Sequence, residues 1–352
     1  MKILQVLAGA EHGGAETAFV DMCVAMKDAG QDVEVVTRDN PVRVPRLREA
    51  GIKVYTLPFG GKLDFYTAFA IKRIIRKYKP DIVQTWMSRA AKHVRKWKPS
   101  LKVPPYYIVS RLGGYYKIKY YQNTNYFVSI TPDIKSYLVK ECGVDEGKIR
   151  QINNFAETEE VSTPVDRADY GVPKGAFLCL GLGRLHSSKA FDSLIEAVAS
   201  LEGVYLWIAG EGPDRVALQA LIDSRGLQDR VTLLGWRSDR AALFDAVDAC
   251  VFSSRYEPFG TVFVQAWAQK TPLITTDSDG PRQFVRHEDD ALMVPIDDIA
   301  QMSTAIKRVK DDQVLYDSMV VNGYDRYIRE FTKEKSVEAY LAYFHDIIER
   351  EK

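Results

Sequence analysis

One stretch of the sequence, residues 249–276, puts a carboxylate next to a candidate binding site for a phosphate group. An apolar run there predicts a buried strand, a turn-rich loop reading SSRYEPFG follows it, and a helical pattern begins near Thr261. Backbone N–H groups at a helix N-terminus, together with the positive end of the helix dipole, favour a bound anion. Because Pro258 fixes one backbone dihedral and Gly260 lets the backbone approach a ligand closely, we expect Glu257 at the rim of this site.

Two cations, Arg184 and Lys189, follow a second apolar run, at residues 177–182. If that run is a strand of a doubly wound sheet, both cations lie in the crevice at the strand carboxyl ends, where such folds bind ligands. An arginine presents a planar fork of donors and a lysine a mobile point charge, a combination that suits a diphosphate. The alternative is a pair of solvated loop charges.

A glycine pair, Gly13 and Gly14, separates the first apolar run from the helical pattern that follows it. This loop could admit a phosphate or a sugar close to the backbone, although it lacks the GxGxxG fingerprint and such a pair is often only structural. Glu16, in the first helical turn, is interpreted as a favourable partner of the helix dipole. His12 lies in the same loop, and a polar loop role and a catalytic role both stay open for it.

Asp277 and Asp279 form a DxD tripeptide, a spacing that can hold a divalent metal ion. Spacing alone is weak evidence, and the tripeptide precedes Gly280 and Pro281 in a predicted loop, so we expect a structural role. The five histidines show no HxH or HxxxH spacing. The sequence therefore predicts neither a catalytic metal nor a cofactor.

Alternating strand and helix patterns predict that two parallel, doubly wound sheets carry these residues. In the first half, strands are expected at residues 3–7, 33–37, 53–57, 82–85, 106–110 and 126–130, with helices at 15–29 and 66–78. In the second half, strands are expected at residues 177–182, 204–209, 231–234, 250–252 and 273–275.

The segment 154–175 between the two sets is acidic and contains Pro and Gly, which indicates a linker. The last segment, 333–352, predicts a helix whose apolar face is formed by Val337, Leu341, Phe344 and Ile348.

Length and composition fit a globular chain of two domains. The chain has 352 residues, of which 46% are hydrophobic and 27% are charged. No apolar run approaches the roughly 20 residues that a membrane span needs, and the N-terminal sequence MKILQVLAGAEHGG is interpreted as a first strand rather than a signal peptide. The four cysteines show no CxxC spacing, which favours free thiols in a reducing cytoplasm.

Charge is distributed unevenly along the chain. Between residues 66 and 125, fourteen Lys or Arg residues face one acid, Asp81, so this segment carries +13; since the whole chain carries +1, the remainder carries −12. The cations are residues 72, 73, 76, 77, 79, 89, 92, 95, 96, 98, 102, 111, 117 and 119. Aromatic residues lie among them, so the stretch could bind anionic lipid headgroups or a phosphorylated saccharide, whereas no recognised nucleic-acid module is present. The candidate acceptor or membrane residues are Arg89, Lys92, Arg95, Lys96 and Arg111.

Taken together, the motifs resemble the retaining glycosyltransferases of the GT-B fold, in particular family 4. The second half carries, in the family's order, GLGRLHSSKAFDSLIEAV (181–198), WIAGEGPDRVAL (207–218), RVTLLGW (230–236), the 249–276 stretch, DSDGPRQFV (277–285) and LMVPID (292–297). The first half resembles the family more weakly, mainly at AGAEHGGAETAFV (8–20). The resemblance implies an acceptor-side Rossmann-like domain at 1–160, a nucleotide-sugar donor domain at 172–330 that faces it across a cleft, and a helix at 331–352 that returns to the first domain.

The resemblance also implies roles for individual residues. Arg184 and Lys189 would neutralise the leaving diphosphate, and Glu257 would hold sugar hydroxyls. The donor-binding residues that it implies are Gly13, Gly14, Gly183, Gly210, Trp236, Phe259, Gly260, Thr261 and Gln265. Three positions depart from the family pattern: Gln265 replaces the motif's second glutamate, Ala190 replaces the glycine after the lysine, and RLGGYY (111–116) lacks the family's histidine.

We therefore predict a retaining, metal-independent glycosyltransferase. It would move a sugar from a nucleotide diphosphate sugar, such as a UDP-sugar, to a lipid-linked, lipopolysaccharide or polysaccharide acceptor at the cytoplasmic face of an anionic membrane. Since no protein nucleophile is evident, the resemblance implies same-face attack by the acceptor, assisted by the leaving phosphate; no nucleic-acid partner is expected. Two alternatives stay open: a nucleotide-sugar epimerase of the same architecture, and a non-catalytic nucleotide-sugar-binding subunit, which is suggested by Gln265.

Overall fold

The chain folds into two compact units. A computed structural model describes residues 1–10, 13–61 and 64–352. The first unit comprises Met1–Asn154 and Lys333–Lys352, and the second comprises Phe155–Thr332. The segment from 155 to 160, which the sequence analysis assigned to the first domain, thus belongs to the second unit, and the C-terminal helix belongs to the first.

The first unit is built on a parallel sheet of seven strands. In chain order the strands are β1 (Lys2–Leu7), β2 (Asp32–Thr37), β3 (Lys53–Thr56), β4 (Ile82–Trp86), β5 (Tyr107–Leu112), β6 (Tyr126–Ser129) and β7 (Ile149–Gln151). Their order across the sheet is β3-β2-β1-β4-β5-β6-β7, so the direction of winding reverses between β1 and β4. The sequence analysis did not predict β7, because three residues are too few to show a period of two.

Helices cover both faces of this sheet. They are α1 (Gly14–Asp28), α2 (Arg43–Glu49), α3 (Phe65–Tyr78), α4 (Met87–His93), α5 (Pro132–Lys140) and, from the C-terminus, α13 (Lys333–Arg350). Because crossovers between parallel strands are right-handed, the helices before and after the reversal of winding lie on opposite faces. In agreement with this rule, α3 and α4 share one hydrophobic core, whereas α13 contacts α1.

The buried face of α13 differs from the predicted one. Val337 and Phe344 are buried as expected, but Leu341 and Ile348 are only partly buried. The remaining buried positions are Ser336, Tyr340, Tyr343 and Ile347. Tyrosines can occupy this face because their hydroxyls find partners there: Tyr343 Oη donates to the Lys148 carbonyl oxygen at 2.8 Å.

The second unit is built on a parallel sheet of six strands. In chain order the strands are β8 (Phe177–Leu182), β9 (Val204–Ala209), β10 (Val231–Gly235), β11 (Ala249–Phe252), β12 (Leu273–Thr276) and β13 (Leu292–Val294). The helices are α6 (Phe191–Ala199), α7 (Arg215–Ser224), α8 (Arg240–Asp245), α9 (Thr261–Ala268), α10 (Pro281–Phe284), α11 (Ile299–Asp311) and α12 (Gln313–Glu330). The order across the sheet is β10-β9-β8-β11-β12-β13, with the reversal between β8 and β11.

Most residues of the predicted linker 154–175 are exposed, but two of its side chains, Arg167 and Tyr170, anchor it to the second unit. Arg167 lies in a short 3₁₀ turn and makes a two-pronged ion pair with Asp248, at 2.9 and 3.0 Å. The Tyr170 ring lies 5.0 Å from the Trp207 ring, centroid to centroid. Local composition could not predict these two contacts, because Asp248 and Trp207 are distant from the segment in the sequence.

Candidate active site

The reversal of strand order in the second unit brings two functional loops together. β8 and β11 are neighbours there, with Cys179 in register with Ala249 and Leu180 in register with Cys250. Both strands are parallel, so the loops that leave their carboxyl ends meet at one edge of the sheet. Such a switch point is where doubly wound sheets bind their ligands. The loop after β8 carries Arg184 and Lys189, and the loop after β11 carries Glu257.

Backbone hydrogen bonds hold these two loops against each other. The Ser188 carbonyl oxygen accepts from the amides of Arg255 and Tyr256, at 2.9 and 3.3 Å. Ser253 Oγ donates to the Lys189 carbonyl oxygen at 2.8 Å. The two loops are therefore joined by hydrogen bonds to main-chain carbonyl oxygens that do not involve the charged side chains.

Lys189 and Glu257 form an ion pair across the two loops. Lys189 Nζ contacts Glu257 Oε2, and both side chains are partly buried. The same ammonium lies 5.3 Å from the centroid of the Phe252 ring. Arg184 is exposed and has no ion-pair partner among the residues that the structure describes. The site thus holds two cations: Lys189, which is paired with Glu257, and Arg184, which is available to an anionic ligand.

Glycines let the strand ends and the loops pack closely. A Cβ on Gly210, after β9, would lie 1.8 Å from the Gly183 carbonyl oxygen, after β8. Gly260 has φ +89°, and a Cβ there would lie 2.7 Å from the Phe252 ring. Gly183, Gly210 and Gly260 were all predicted to bind the donor, and the structure also gives Gly210 and Gly260 a packing reason to be glycine.

Helix α9 begins directly after Gly260 and has no side-chain cap at its N-terminus. Thr261 and Gln265 are both partly exposed, and because they are four residues apart they lie on the same face of the helix. Phe259 is different, because its side chain is only 3% exposed. It packs against Phe284 at 5.2 Å and Phe263 at 5.4 Å between ring centroids. Phe259 can therefore contact a donor only through its backbone, and its place among the donor-binding residues stays a prediction.

Trp236 follows β10, at the same edge of the sheet as the switch point, and is 74% exposed. The strand order puts β9 between β10 and β8. Trp236 therefore lies at the end of a strand two positions away from β8, whereas the Lys189–Glu257 pair lies at the ends of β8 and β11.

Arg255 is a functional candidate that the sequence analysis missed. Its Nε donates to both carboxylate oxygens of Asp297 at 2.8 Å, and its Nη1 donates to the Ser187 carbonyl oxygen at 2.8 Å. Its Nη2 donates to Asp192 Oδ2 at 2.8 Å and to Ser193 Oγ at 3.0 Å. The guanidinium thus ties the Glu257 loop to the segment that follows Lys189. Its partners lie in two segments, residues 187–193 and Asp297, that are both far from Arg255 in the sequence, so no local pattern could have revealed the contact.

The same contact shifts the ionisation of Asp297. The hydrogen bonds from Arg255 lower the pKa of the Asp297 carboxyl below its usual value, and the bond from Ser193 Oγ, at 2.7 Å, acts in the same direction. Asp297 therefore remains ionised under mildly acidic conditions.

The two aspartates of the DxD tripeptide make protein contacts. Asp277 Oδ1 accepts from the Ile296 amide at 3.1 Å, and Asp279 pairs with Arg282 at 3.0 Å. Within the described part of the chain, no group of three or more His, Cys, Asp or Glu side chains is arranged to hold a metal ion.

In the first unit, the loop after β1 lies at the other reversal of strand order. Gly13 caps α1 and Gly14 is its first residue, and both are exposed. Glu16 is buried and accepts from the Ala10 amide at 2.7 Å, while a Cβ on Gly13 would lie 2.4 Å from Glu16 Oε2. Glu16 therefore joins Ala10 to the first turn of α1, in addition to its place near the helix N-terminus. His12 lies outside the described residues.

Of the predicted acceptor or membrane residues, Arg111 is not on the surface. It is 3% exposed, and its guanidinium lies 4.2 Å above the Trp86 ring and donates to Asn154 Oδ1. Burial lowers the pKa of Arg111, and Tyr340 of α13 is a neighbouring hydrogen-bond partner. Arg111 therefore does not belong to an exposed, membrane-facing surface, which a count of charges could not reveal because it cannot detect stacking on a buried ring. Its role at the acceptor stays a prediction. The other predicted residues of this set are exposed: Arg89, Lys92, Arg95 and Lys96.

Two doubly wound parallel domains, one with an ion pair and a free arginine at its switch point, define the class of protein: the fold is that of a GT-B glycosyltransferase. The family model described as "Glycosyl transferases group 1" matches residues 162–326, and the model "Glycosyltransferase Family 4" matches residues 12–160. The chain belongs to this family and is a glycosyltransferase.

Similar proteins match over almost the whole chain. One is the lipopolysaccharide core biosynthesis glycosyltransferase LpsD of Rhizobium meliloti (strain 1021), 34% identical over 348 residues, which cover 98% of each chain. LpsE of the same organism, which carries the same description, is 33% identical over 343 residues, covering 94% of this chain and 95% of that one. Among solved structures, Anabaena HepE in complex with UDP and glucose superposes with a TM-score of 0.83 at 18% identity, covering 98% of this chain and 100% of that one.

Proposed function

We propose that this glycosyltransferase moves a sugar from a nucleotide diphosphate sugar to the core region of a lipopolysaccharide, with retention of the anomeric configuration. The observation that carries the proposal is the switch point of the second unit, where Arg184 is free and Lys189 is paired with Glu257. The acceptor class is supported by the 34% and 33% identity to two lipopolysaccharide core biosynthesis glycosyltransferases.

Arg184, Lys189 and Glu257 each have a proposed role in the reaction. Arg184 and the ammonium of Lys189 bind the diphosphate and stabilise the charge that develops on it as the glycosidic bond breaks. Glu257, which already accepts a hydrogen bond from the Lys189 ammonium, also accepts hydrogen bonds from the sugar hydroxyls. Backbone N–H groups at the start of α9 add further donors for the phosphates.

Retention follows if the acceptor attacks from the face that the phosphate leaves. The bond between C1 of the sugar and the phosphate oxygen breaks, and a bond from C1 to the acceptor oxygen forms on the same face. The acceptor's hydroxyl proton passes to the leaving phosphate, so the products are a glycoside and a nucleoside diphosphate. We propose that this step needs no divalent metal, which is supported by the protein contacts of Asp277 and Asp279.

The base of the donor is proposed to be uracil, with support from the UDP-bound HepE structure, which shares the fold. Gln265 lies one helical turn after Thr261 at the start of α9, where a carboxamide would meet the ribose. A carboxamide has one acceptor oxygen and two N–H donors, so its contact with the two ribose hydroxyls differs from that of a carboxylate.

We further propose that the protein works at the cytoplasmic face of an anionic membrane, where a lipid-linked acceptor would be found. The exposed cations of the first unit support this location. Within the described residues, no helix is both long enough and apolar enough to cross a bilayer.

The proposal is tested with purified protein, a panel of nucleotide diphosphate sugars and truncated lipopolysaccharide acceptors, with EDTA present in one arm. Donors are first selected by thermal shift, since a ligand at 100 times its Kd adds about 2.7 kcal/mol of stability. We expect release of nucleoside diphosphate that depends on the acceptor, persists in EDTA and falls in Lys189→Ala. Activity that EDTA abolishes and manganese restores would refute the metal-independent step, and the absence of any nucleotide-dependent transfer would refute the proposed reaction.

A further inference from the structure

The outer face of α3 combines exposed aromatic rings with exposed cations. Phe65, Tyr66 and Phe69, in its first turns, are 75%, 64% and 58% exposed. Its second half exposes four cations: Lys72, Arg73, Arg76 and Lys77. At about 100° per residue these seven side chains fall within an arc of about 140°. We call this surface the α3 outer face.

The inner face of α3 is fixed, so the aromatic rings cannot turn inward. Ile71, Ile74 and Ile75 are buried in the core of the first unit, and so is Tyr78, whose Oη donates to the Asp32 carbonyl oxygen at 2.5 Å. At its start, the Asp64 carboxylate caps the helix by accepting from the Thr67 amide at 2.9 Å. Three large rings therefore stay exposed on a rigid helix, although burying each one would be worth about 1.5–3 kcal/mol.

Cations around this face are not balanced by acids. Every Lys and Arg between residues 72 and 119 is exposed except Arg111, and none of the exposed ones forms an ion pair with a described acid. Asp81, the acid of this stretch, accepts from the Lys2 amide at 2.7 Å. Among these cations, Arg89 and Lys92 belong to α4, which shares a hydrophobic core with α3 and so lies on the same side of the sheet.

From these observations we infer that the α3 outer face docks onto an anionic lipid surface. Phe65, Tyr66 and Phe69 would enter the headgroup region, where aromatic rings are favoured, while the cations of the second half contact lipid phosphates. An anionic lipid surface is complementary to both parts of the α3 outer face. The aromatic rings are stabilised in an apolar medium, and the cations are stabilised by a dense anionic surface. This inference rests on the proposed function in one respect, namely that the acceptor is lipid-linked.

The test is sedimentation of the full-length protein with vesicles of phosphatidylcholine, alone or mixed with phosphatidylglycerol, at low and high salt. The double variant Phe65→Ser/Phe69→Ser is compared with Val314→Ser/Val321→Ser, which removes two exposed apolar side chains from α12. Arg76→Gln/Lys77→Gln is compared with Lys140→Gln/Lys174→Gln, which removes the same charge from exposed positions elsewhere.

We expect wild type to bind the anionic vesicles and to bind less as salt rises, because the Debye length shrinks from about 10 Å at 0.1 M salt to 3 Å at 1 M. Phe65→Ser/Phe69→Ser should bind at least about tenfold more weakly at every salt concentration. Arg76→Gln/Lys77→Gln should bind several-fold more weakly at low salt only. Both controls should stay within about twofold of wild type.

Three results would overturn the inference: equal binding to neutral and anionic vesicles, unchanged binding in both α3 variants, or a dimer without lipid that Phe65→Ser/Phe69→Ser converts to monomer. Transfer to a water-soluble acceptor is measured in the same variants. If a variant that no longer binds vesicles still transfers sugar to this soluble acceptor, transfer does not depend on docking, and the two proposals are distinguished. Vesicle binding by a wild type that transfers no sugar would refute the proposed function and leave the docking surface intact.

Discussion

Lys189 and Glu257 meet across two loops that leave neighbouring strands, and their ion pair occupies the switch point of the second sheet. The two loops do not depend on this ion pair for their contact, because hydrogen bonds from two amides and from Ser253 Oγ to the Ser188 and Lys189 carbonyl oxygens already join them. The pair therefore supplies a cation that is held in place before a ligand arrives. Such preorganised charge costs no reorganisation at the moment of reaction.

Removal of either cation should slow transfer. Arg184→Ala and Lys189→Ala are each expected to lower kcat/KM by more than tenfold, because the leaving diphosphate loses a stabilising charge. Lys270→Ala, which removes an exposed lysine beyond α9, serves as the control and should stay near wild type. Steady-state kinetics with saturating acceptor measure the effect, and an unchanged kcat/KM in both site variants would argue against leaving-group stabilisation.

Arg255 is expected to act by position rather than by contact with substrate. Arg255→Ala should lower kcat by roughly tenfold, since even a small displacement of Glu257 relative to Lys189 weakens catalysis. The Kd of the nucleoside diphosphate should change by less than about threefold, because Arg184 and Lys189 remain. Arg255→Lys keeps the charge but loses the fork of donors, so it should restore only part of kcat.

The control for Arg255 is Arg225→Ala, which breaks the exposed pair between Arg225 and Glu196 in the same unit. If Arg255 merely stabilises the fold, its loss of activity should follow the fall in melting temperature and vanish at low temperature. A drop in kcat that persists well below the melting temperature identifies a positioning residue.

The lowered pKa of Asp297 predicts a specific acid response. A carboxyl whose pKa is lower in the folded state stabilises that state above its unfolded pKa of about 3.9, and this stabilisation is lost as pH falls through the folded value. The difference in unfolding free energy between wild type and Arg255→Ala should therefore shrink below about pH 4. Because Asp297 is half-exposed, the change should stay below about 1 kcal/mol. Urea unfolding at a series of pH values measures it, and a difference that grows with acid would contradict the assignment.

Gln265 gives a test of how the nucleotide is bound. Charge-assisted hydrogen bonds exceed neutral ones by on the order of 1 kcal/mol, so Gln265→Glu should tighten nucleoside diphosphate binding several-fold if the ribose lies against α9. If Gln265 instead faces a pocket of different chemistry, an added carboxylate would cost affinity. Calorimetric titration of both proteins distinguishes the two cases, and weaker binding by Gln265→Glu would reject the proposed pose.

The main candidate residues could be predicted from the sequence because each of them lies in a loop that follows a predicted strand. Lys189 and Glu257 follow short apolar runs, and parallel strands bring such positions to one edge of a sheet. The sequence could not predict how side chains pack in the tertiary structure: Arg111 is stacked on Trp86, and the Phe259 ring lies in an aromatic cluster. Arg255 was missed for the same reason, since its partners Ser187 and Asp297 lie far from it in the sequence.

The relatives that match nearly the full chain are described as glycosyltransferases, so the epimerase and binding-subunit alternatives gain no support from them.

The proposed transfer is tested most directly on its product. Wild-type protein is incubated with an α-linked nucleotide diphosphate sugar and a truncated lipopolysaccharide acceptor, and the product is analysed by mass spectrometry and proton NMR. We expect an acceptor one sugar heavier, joined through an α linkage and formed together with nucleoside diphosphate. A β linkage would contradict the same-face mechanism, and an acceptor of unchanged mass with every donor would contradict the proposed transfer itself.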